Sequence, residues 1–249
     1  MTRRTITINC DMGESFGPWT MGNDIKVMPA IDMANIACGF HASDPMIMSY
    51  TVGLAMQHNV KIGAHPSYPD MQGFGRRHMA MNVEEITQMV IYQVGALNAM
   101  CESQNTQLEY VKPHGALYND MMSDMNVFEA IADAVSCFNV PLMVLAQPDN
   151  QMVLDIADHY ELPLLFEAYI DRAYSPNGQL VSRSEAASII TDEDDILNQA
   201  YLLAHFGILK AIDNSDLALE ADTICVHGDS QHAVDIIHKL RRVLNDTKR

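Results

Sequence analysis

Lys112 and His114 stand two residues apart in "YVKPHGALYND" (110–120), on either side of Pro113. On an extended strand, side chains two apart share a face, so an ammonium and an imidazole would point the same way. The pattern recurs. Asn9 and Asp11 share parity in "INCDM", Gly39 and His41 in "ACGFHASD" with Asp44 just beyond, and Gly63 and His65 in "KIGAHP". Glu167, Tyr169 and Asp171 alternate further along, as do Cys225, His227 and Asp229. A single histidine is more often a structural hydrogen-bonder than a functional group, but recurrence at equivalent positions changes that reading. Carboxylates, imidazoles and an ammonium in one place suit hydrolysis. Water needs a base, the developing oxyanion needs a cation or donor, and the leaving group needs an acid.

The elements that must position these groups follow from hydrophobic periodicity. Short β-rich runs occur at 5–10, 33–39, 61–66, 109–115, 141–147, 162–170 and 222–228. Between most of them, apolar residues at three- and four-residue intervals predict helices over 45–59, 83–104, 124–138, 149–160 and 230–244. Asp44 before Pro45 reads as an N-cap and first helical position. "TDEDD" (191–195) reads as a helix start with Thr191 as cap and acids facing the dipole. Asn177-Gly178 predicts a two-residue hairpin turn, with Arg172 at its base. No Pro/Gly/Ser-rich linker divides the chain, so residues 1–249 read as one domain. The alternation predicts a parallel β/α barrel of about seven strands, closed or distorted, with a doubly wound sheet as the second choice. In either, strand carboxyl ends carry the chemistry.

Composition excludes other classes. The 249 residues include 15 Lys+Arg against 32 Asp+Glu, a formal charge of −17, which argues against nucleic acid or an anionic membrane as partner. No apolar run approaches a membrane span, and the N-terminal run is too short for a signal sequence. Five cysteines, widely spaced and never paired as C-x-x-C, read as reduced thiols in a cytoplasmic protein. Neither G-x-x-x-x-G-K-[ST] nor a strand-to-helix G-x-G-x-x-G occurs.

Six segments, "NCDMGESFGPW", "NIACGFHASDP", "IGAHPSYPDMQGFGRR", "VKPHGALYN", "DRAYSPNGQLVSR" and "CVHGDSQHAV", together closely resemble the LamB/YcsF family, in order and nearly end to end. The resemblance implies a distorted parallel barrel like that of glycoside hydrolases and polysaccharide deacetylases. It implies the role of the A subunit in an ATP-dependent 5-oxoprolinase, hydrolysing 5-oxo-L-proline to L-glutamate with subunits B and C as partners. Two departures stand out. Thr7 and Ile8 replace the family's usual Asp-Leu, and Ser43 stands where glycine is usual, which bears on any backbone conformation that needs glycine there.

Opening a lactam fits these residues. Phosphorylating the amide oxygen would make it attackable by water, which explains coupling to ATP. Asp11 or His65 can serve as base and His114 or His227 as acid. Lys112 suits an oxyanion or phosphate, or else an internal ion pair with Asp11, Glu14 or Asp229. Glu14 is either a second working carboxylate or a first-turn acid, and His41 and Asp229 complete the candidate catalytic set. Asn9, Arg76, Glu167 and Arg172 are the candidate substrate contacts; Arg76 and Arg77 sit on a glycine-flexible loop and can equally form surface ion pairs. The missing phosphate loops assign ATP mainly to the partner subunits. Whether a metal binds stays open: Asp11, His41, His65 and His114 offer mixed N/O ligands, but no segment carries paired-histidine spacing. Two further readings are a stand-alone metal-dependent deacetylase or amidohydrolase, and a non-catalytic substrate-binding subunit.

Overall fold

A computed structural model describes residues 6–182, 185–226 and 233–246. Strands β1 (Thr7–Met12), β2 (Met33–Ala37), β3 (Lys61–His65), β4 (Tyr110–Val111), β5 (Leu142–Leu145) and β6 (Leu164–Tyr169) pair in sequence order, each parallel to the last. Two short strands, β7 (Ile208–Lys210) and β8 (Asp216–Ala218), form a separate antiparallel pair. The ninth strand, β9 (Thr223–Cys225), lies between β6 and β1 and closes a seven-stranded barrel. That is the expected architecture. The described α-helices are α1 (Asp24–Val27), α2 (Pro45–His58), α3 (Val83–Ser103), α4 (Gly115–Ser123), α5 (Met125–Ser136), α6 (Gln151–His159), α7 (Glu193–Phe206) and α8 (Ala233–Asp246), and a 3-10 turn (Met28–Ala30) follows α1. No described helix is long and apolar enough to cross a membrane.

Period-two alternation sets the two faces of each strand. In β1, Ile8, Cys10 and Met12 join the main core with Ile36 of β2 and Ile62 of β3, where each large apolar side chain stabilises by roughly 1.5–3 kcal/mol. Asn9 and Asp11, of opposite parity, meet Asn35 across the barrel interior. A second small cluster, Met33, Tyr110 and Met143 with Leu165 packed against it, plugs the interior below them. Gly63 makes room for that plug. A Cβ there would stand 2.1 Å from the Tyr110 ring.

Several local expectations change. β4 is two residues long, because Pro113 lacks an amide hydrogen, so Lys112 and His114 lie beyond it. Gly115 opens α4, a helix that the apolar spacing does not predict. Asp192, not Thr191, caps α7, accepting from the amides of Asp194 and Asp195. The hairpin loop has three residues rather than two. Gly178 N donates to Ser175 O and only Gly178 takes a positive φ of 85°, a turn closed by a left-handed glycine. Asp44 caps α2 as expected, accepting from Met46 and Ile47. Ser43, where the family pattern has glycine, keeps the left-handed conformation with φ 75°.

Candidate active site

The carboxyl ends of the strands open into a cavity of about 590 Å³ whose wall includes Asp11, His65, Arg76, Lys112, His114 and Arg172. A cavity of similar size, about 570 Å³, lies elsewhere among Asn98, Glu102, Phe138 and Pro141, without histidine, lysine or arginine in its wall. The chemistry belongs to the first.

Lys112 is the hub. Its ammonium, 2 % exposed, donates to Glu167 Oε1 at 2.6 Å, Asn9 Oδ1 at 3.2 Å and Cys225 Sγ at 3.3 Å. Tyr169 covers it at 5.3 Å. Burial opposes the charge, yet the surrounding Cys225, Glu167 and Asp11 hold its pKa well above the usual lysine value. Asp11, an expected ion-pair partner, stands 3.6 Å away, but the close partner is Glu167.

Asp11 sits at the rim of this layer with 18 % of its side chain exposed. Asn35 Nδ2 donates to its Oδ1 at 2.8 Å, and Asn35 is itself set by Tyr110, whose hydroxyl donates to Asn35 Oδ1 at 2.7 Å. Burial resists ionisation of Asp11, but His65 and Lys112 outweigh it and hold the carboxyl well below its ordinary range. It is a carboxylate at neutral pH.

Three imidazoles complete the mouth, and each is anchored by its outer nitrogen. His65 Nδ1 donates to Lys112 O at 2.6 Å, and His114 Nε2 to Phe74 O at 2.9 Å. His41 Nδ1 donates to Ser67 Oγ at 3.0 Å, because that hydroxyl already donates to Tyr68 O. Gln93 of α3 clamps the Ser67 peptide through both its amide atoms. The inner nitrogens converge. His65 Nε2 lies 3.0 Å from His114 Nδ1 and 3.3 Å from Asp11 Oδ1, while His41 Nε2 lies 3.4 Å from Glu14 Oε1. Two imidazoles held between two backbone carbonyls leave no proton for their mutual contact unless the pair carries a positive charge. Burial lowers the His114 pKa to about 3 and holds His41 well below the usual histidine value. The loop over them is tightly fitted: a Cβ on Gly75 would meet His114 and His41 at 2.9 Å.

The other candidate residues fall into three groups. Asn9 and Glu167 are fully buried beneath Lys112, off the cavity wall, so they set up that layer rather than touch a ligand. Arg76 and Arg172 line the cavity; Arg76 lies 5.0 Å over the Phe74 ring, and Arg172 donates to Ser188 O and Val181 O, tying down the hairpin segment. Arg77 instead pairs with Asp70. His227 and Asp229 lie outside the described residues.

The match to known proteins covers this whole arrangement. The LamB/YcsF family model matches residues 6–249. The chain belongs to the LamB/YcsF family. A Vibrio cholerae protein named as the A subunit of 5-oxoprolinase is 60 % identical over 246 residues, spanning 99 % of this chain and 100 % of the relative. A Pseudomonas aeruginosa protein, also named as a 5-oxoprolinase A subunit, is 49 % identical, spanning 98 % of each. The crystal structure of a lactam utilization protein from Thermus thermophilus superposes with a TM-score of 0.89 at 38 % identity, spanning 97 % of this chain and 96 % of that one.

Strand alternation misses several residues of this LamB/YcsF site. Asn35 is a lone amide in an otherwise apolar strand, in register opposite Asp11, and that register is its signal. Tyr118, in the first turns of α4, lines the cavity with a buried hydroxyl that has no hydrogen-bond partner among the described residues. Burial and the nearby Glu167 push its pKa well up, so it stays a proton donor. Ser67, Phe74 and Gln93 act through the loops and α3, where no period marks them.

Proposed function

We propose that this chain is the lactam-opening subunit of an ATP-dependent 5-oxoprolinase, converting 5-oxo-L-proline to L-glutamate. The observation that carries this reading is the end-to-end identity of 60 % with a relative named as the A subunit of 5-oxoprolinase. The cavity chemistry supports it. Water adds to the lactam carbonyl carbon, the carbon–nitrogen bond breaks, and the nitrogen leaves as an amine. Asp11, ionised and partly exposed, takes the proton from water. Lys112 faces the developing oxyanion side with fixed positive charge. Tyr118 supplies a proton to the departing nitrogen. Arg76 on the cavity wall suits the substrate carboxylate.

An amide is a poor electrophile, so activation by ATP belongs to the same reaction. A charge of −17 and the lack of a phosphate-binding loop in the sequence assign the nucleotide mainly to partner subunits, here subunits B and C. Five thiols without a disulfide suit a reducing, cytoplasmic setting. A second reading, a metal-dependent amidohydrolase needing no ATP, is favoured by the imidazole donors alone.

The test is reconstitution with the partner subunits, measuring glutamate and phosphate in parallel. Glutamate formation should require this chain and ATP together, and Asp11→Asn should lower it on the order of 100- to 10,000-fold with the fold intact. Glutamate formed at full rate by this chain without ATP would favour the second reading. Undiminished turnover by Asp11→Asn would remove Asp11 as base.

A further inference from the structure

The inner edges of the imidazole cluster pose a problem in electrostatics that the hydrolytic reading does not use. His41, His65 and His114 each give one N–H to a fixed oxygen: Ser67 Oγ, Lys112 O and Phe74 O. A neutral imidazole so anchored presents a lone pair on its other nitrogen. Lone pairs of His65 and His114 then face each other at 3.0 Å, with Asp11 Oδ1 3.3 Å from the same His65 nitrogen. The buried His41 Nε2 has no hydrogen-bond donor among the described residues and looks at Glu14 Oε1 from 3.4 Å. Only positive charge placed among these atoms makes the arrangement favourable.

The carboxylates of Asp11 and Glu14 stand 3.3 and 3.4 Å from the inner nitrogens of His65 and His41, so the space between them favours a cation. One donor atom from each of Glu14, His41, His65 and His114 lies within 4.8 Å of the others. In a tetrahedral site with bonds near 2.1 Å, ligand atoms stand about 3.4 Å apart, so small side-chain shifts close such a set. Ring geometry decides which donors share an ion, because an imidazole binds metal in its own plane. His41 and His114 stack at 3.8 Å with planes only 5° apart, so one ion cannot lie in both planes. His65 and His114 stand at 82°, which lets both lone pairs reach a common point.

We propose that Glu14, His65 and His114 bind a first-row divalent cation, with the His41 lone pair beside its remaining coordination position. Two imidazoles and a carboxylate suit zinc or a similar borderline ion and disfavour magnesium and calcium, which take oxygen ligands. The anchored outer nitrogens are the supporting hydrogen bonds that metal-binding histidines ordinarily make. The donors come from the loop after β1, the last residue of β3 and the segment after β4, so no single segment carries a paired-histidine motif. The site stands on its donor set and holds whether or not the chain opens lactams.

The test needs no activity. Chain purified without a polyhistidine tag or chelator should carry close to one equivalent of a first-row divalent metal by elemental analysis. After chelator stripping, zinc should raise the Tm, and cobalt(II) should give the visible absorption bands of a nitrogen-containing site of low coordination number. Glu14→Gln and His65→Ala should each weaken zinc binding at least tenfold, on the scale of losing one ligand. Should His65→Ala fail to fold, Glu14→Gln decides. A folded chain isolated without metal that shows neither a Tm shift with zinc nor cobalt bands overturns the site and leaves a shared proton as the charge. Equal metal affinity in the wild type and the variants overturns it as well.

Discussion

Removing the charge of Glu167 while keeping its shape would leave Lys112 buried with the more distant Asp11 as its counter-ion among the described residues. Breaking one side of a buried pair costs about 3–5 kcal/mol, because the remaining charge loses its compensation. Glu167→Gln should therefore lower unfolding free energy by about that amount in denaturant titration. A loss below about 1 kcal/mol would mean that Asn9 and Asp11 hold the ammonium on their own. Tyr118 makes a contrasting case. Its hydroxyl has no partner among the described residues to lose, so Tyr118→Phe should leave the Tm unchanged while lowering glutamate formation about 100-fold in the reconstituted complex. A large fall in Tm with unchanged turnover would reverse that assignment. The two substitutions separate groups that hold the layer together from groups turned toward a ligand.

At the scale of elements, the strap between β3 and α3 governs the imidazoles. It carries Ser67, which orients His41, and Phe74, which orients His114 while itself in the left-handed region with φ 56°. Such strain persists only where surrounding bonds over-determine it. Asp70 supplies several of them, accepting from Gly73 and from Arg77 through its side chain, while its carbonyl accepts from Gly75. Hydrogen bonding from Arg77 lowers the Asp70 pKa to about 2. A depressed carboxylate contributes stability that is complete above its unfolded value near 4 and fades as pH falls toward 2. The Tm gap between wild type and Asp70→Asn should then be constant above about pH 5 and close between about 4 and 2. A gap that persists to pH 2 would show that the asparagine loses shape rather than charge. This strap also marks what was legible. Period two gave the barrel and placed Asp11, His65 and Lys112 on one side, because strand geometry fixes those directions. The same parity named His41, though His41 lies four residues past the end of β2 and reaches the site through a loop, where no strand period applies. It could not supply Ser67 or Gln93, whose roles exist only through contacts between loop and helix.

Taken whole, the barrel protects its thiols in a way that reports on global stability. Cys10, Cys38, Cys101 and Cys225 are buried, and Cys137 is exposed. They lie in β1, after β2, in α3 and in β9, so no single local opening frees all four buried groups. Burial also raises their pKa values, Cys38 to about 12 and Cys101 to about 11, so little thiolate exists even where reagent arrives. Sub-global openings expose termini and loops first, while core strands open with the whole domain. In native buffer a disulfide reagent should therefore titrate one thiol quickly, and five in denaturant. The slow phase should rise with denaturant along the same slope as unfolding followed by circular dichroism, because the reacting species is the unfolded chain. A second fast thiol, or a slow phase insensitive to denaturant, would instead reveal a part of the barrel that opens independently of the rest. With Lys112 donating to Cys225, β9 would be the first place to look, since that contact joins barrel closure to the catalytic layer.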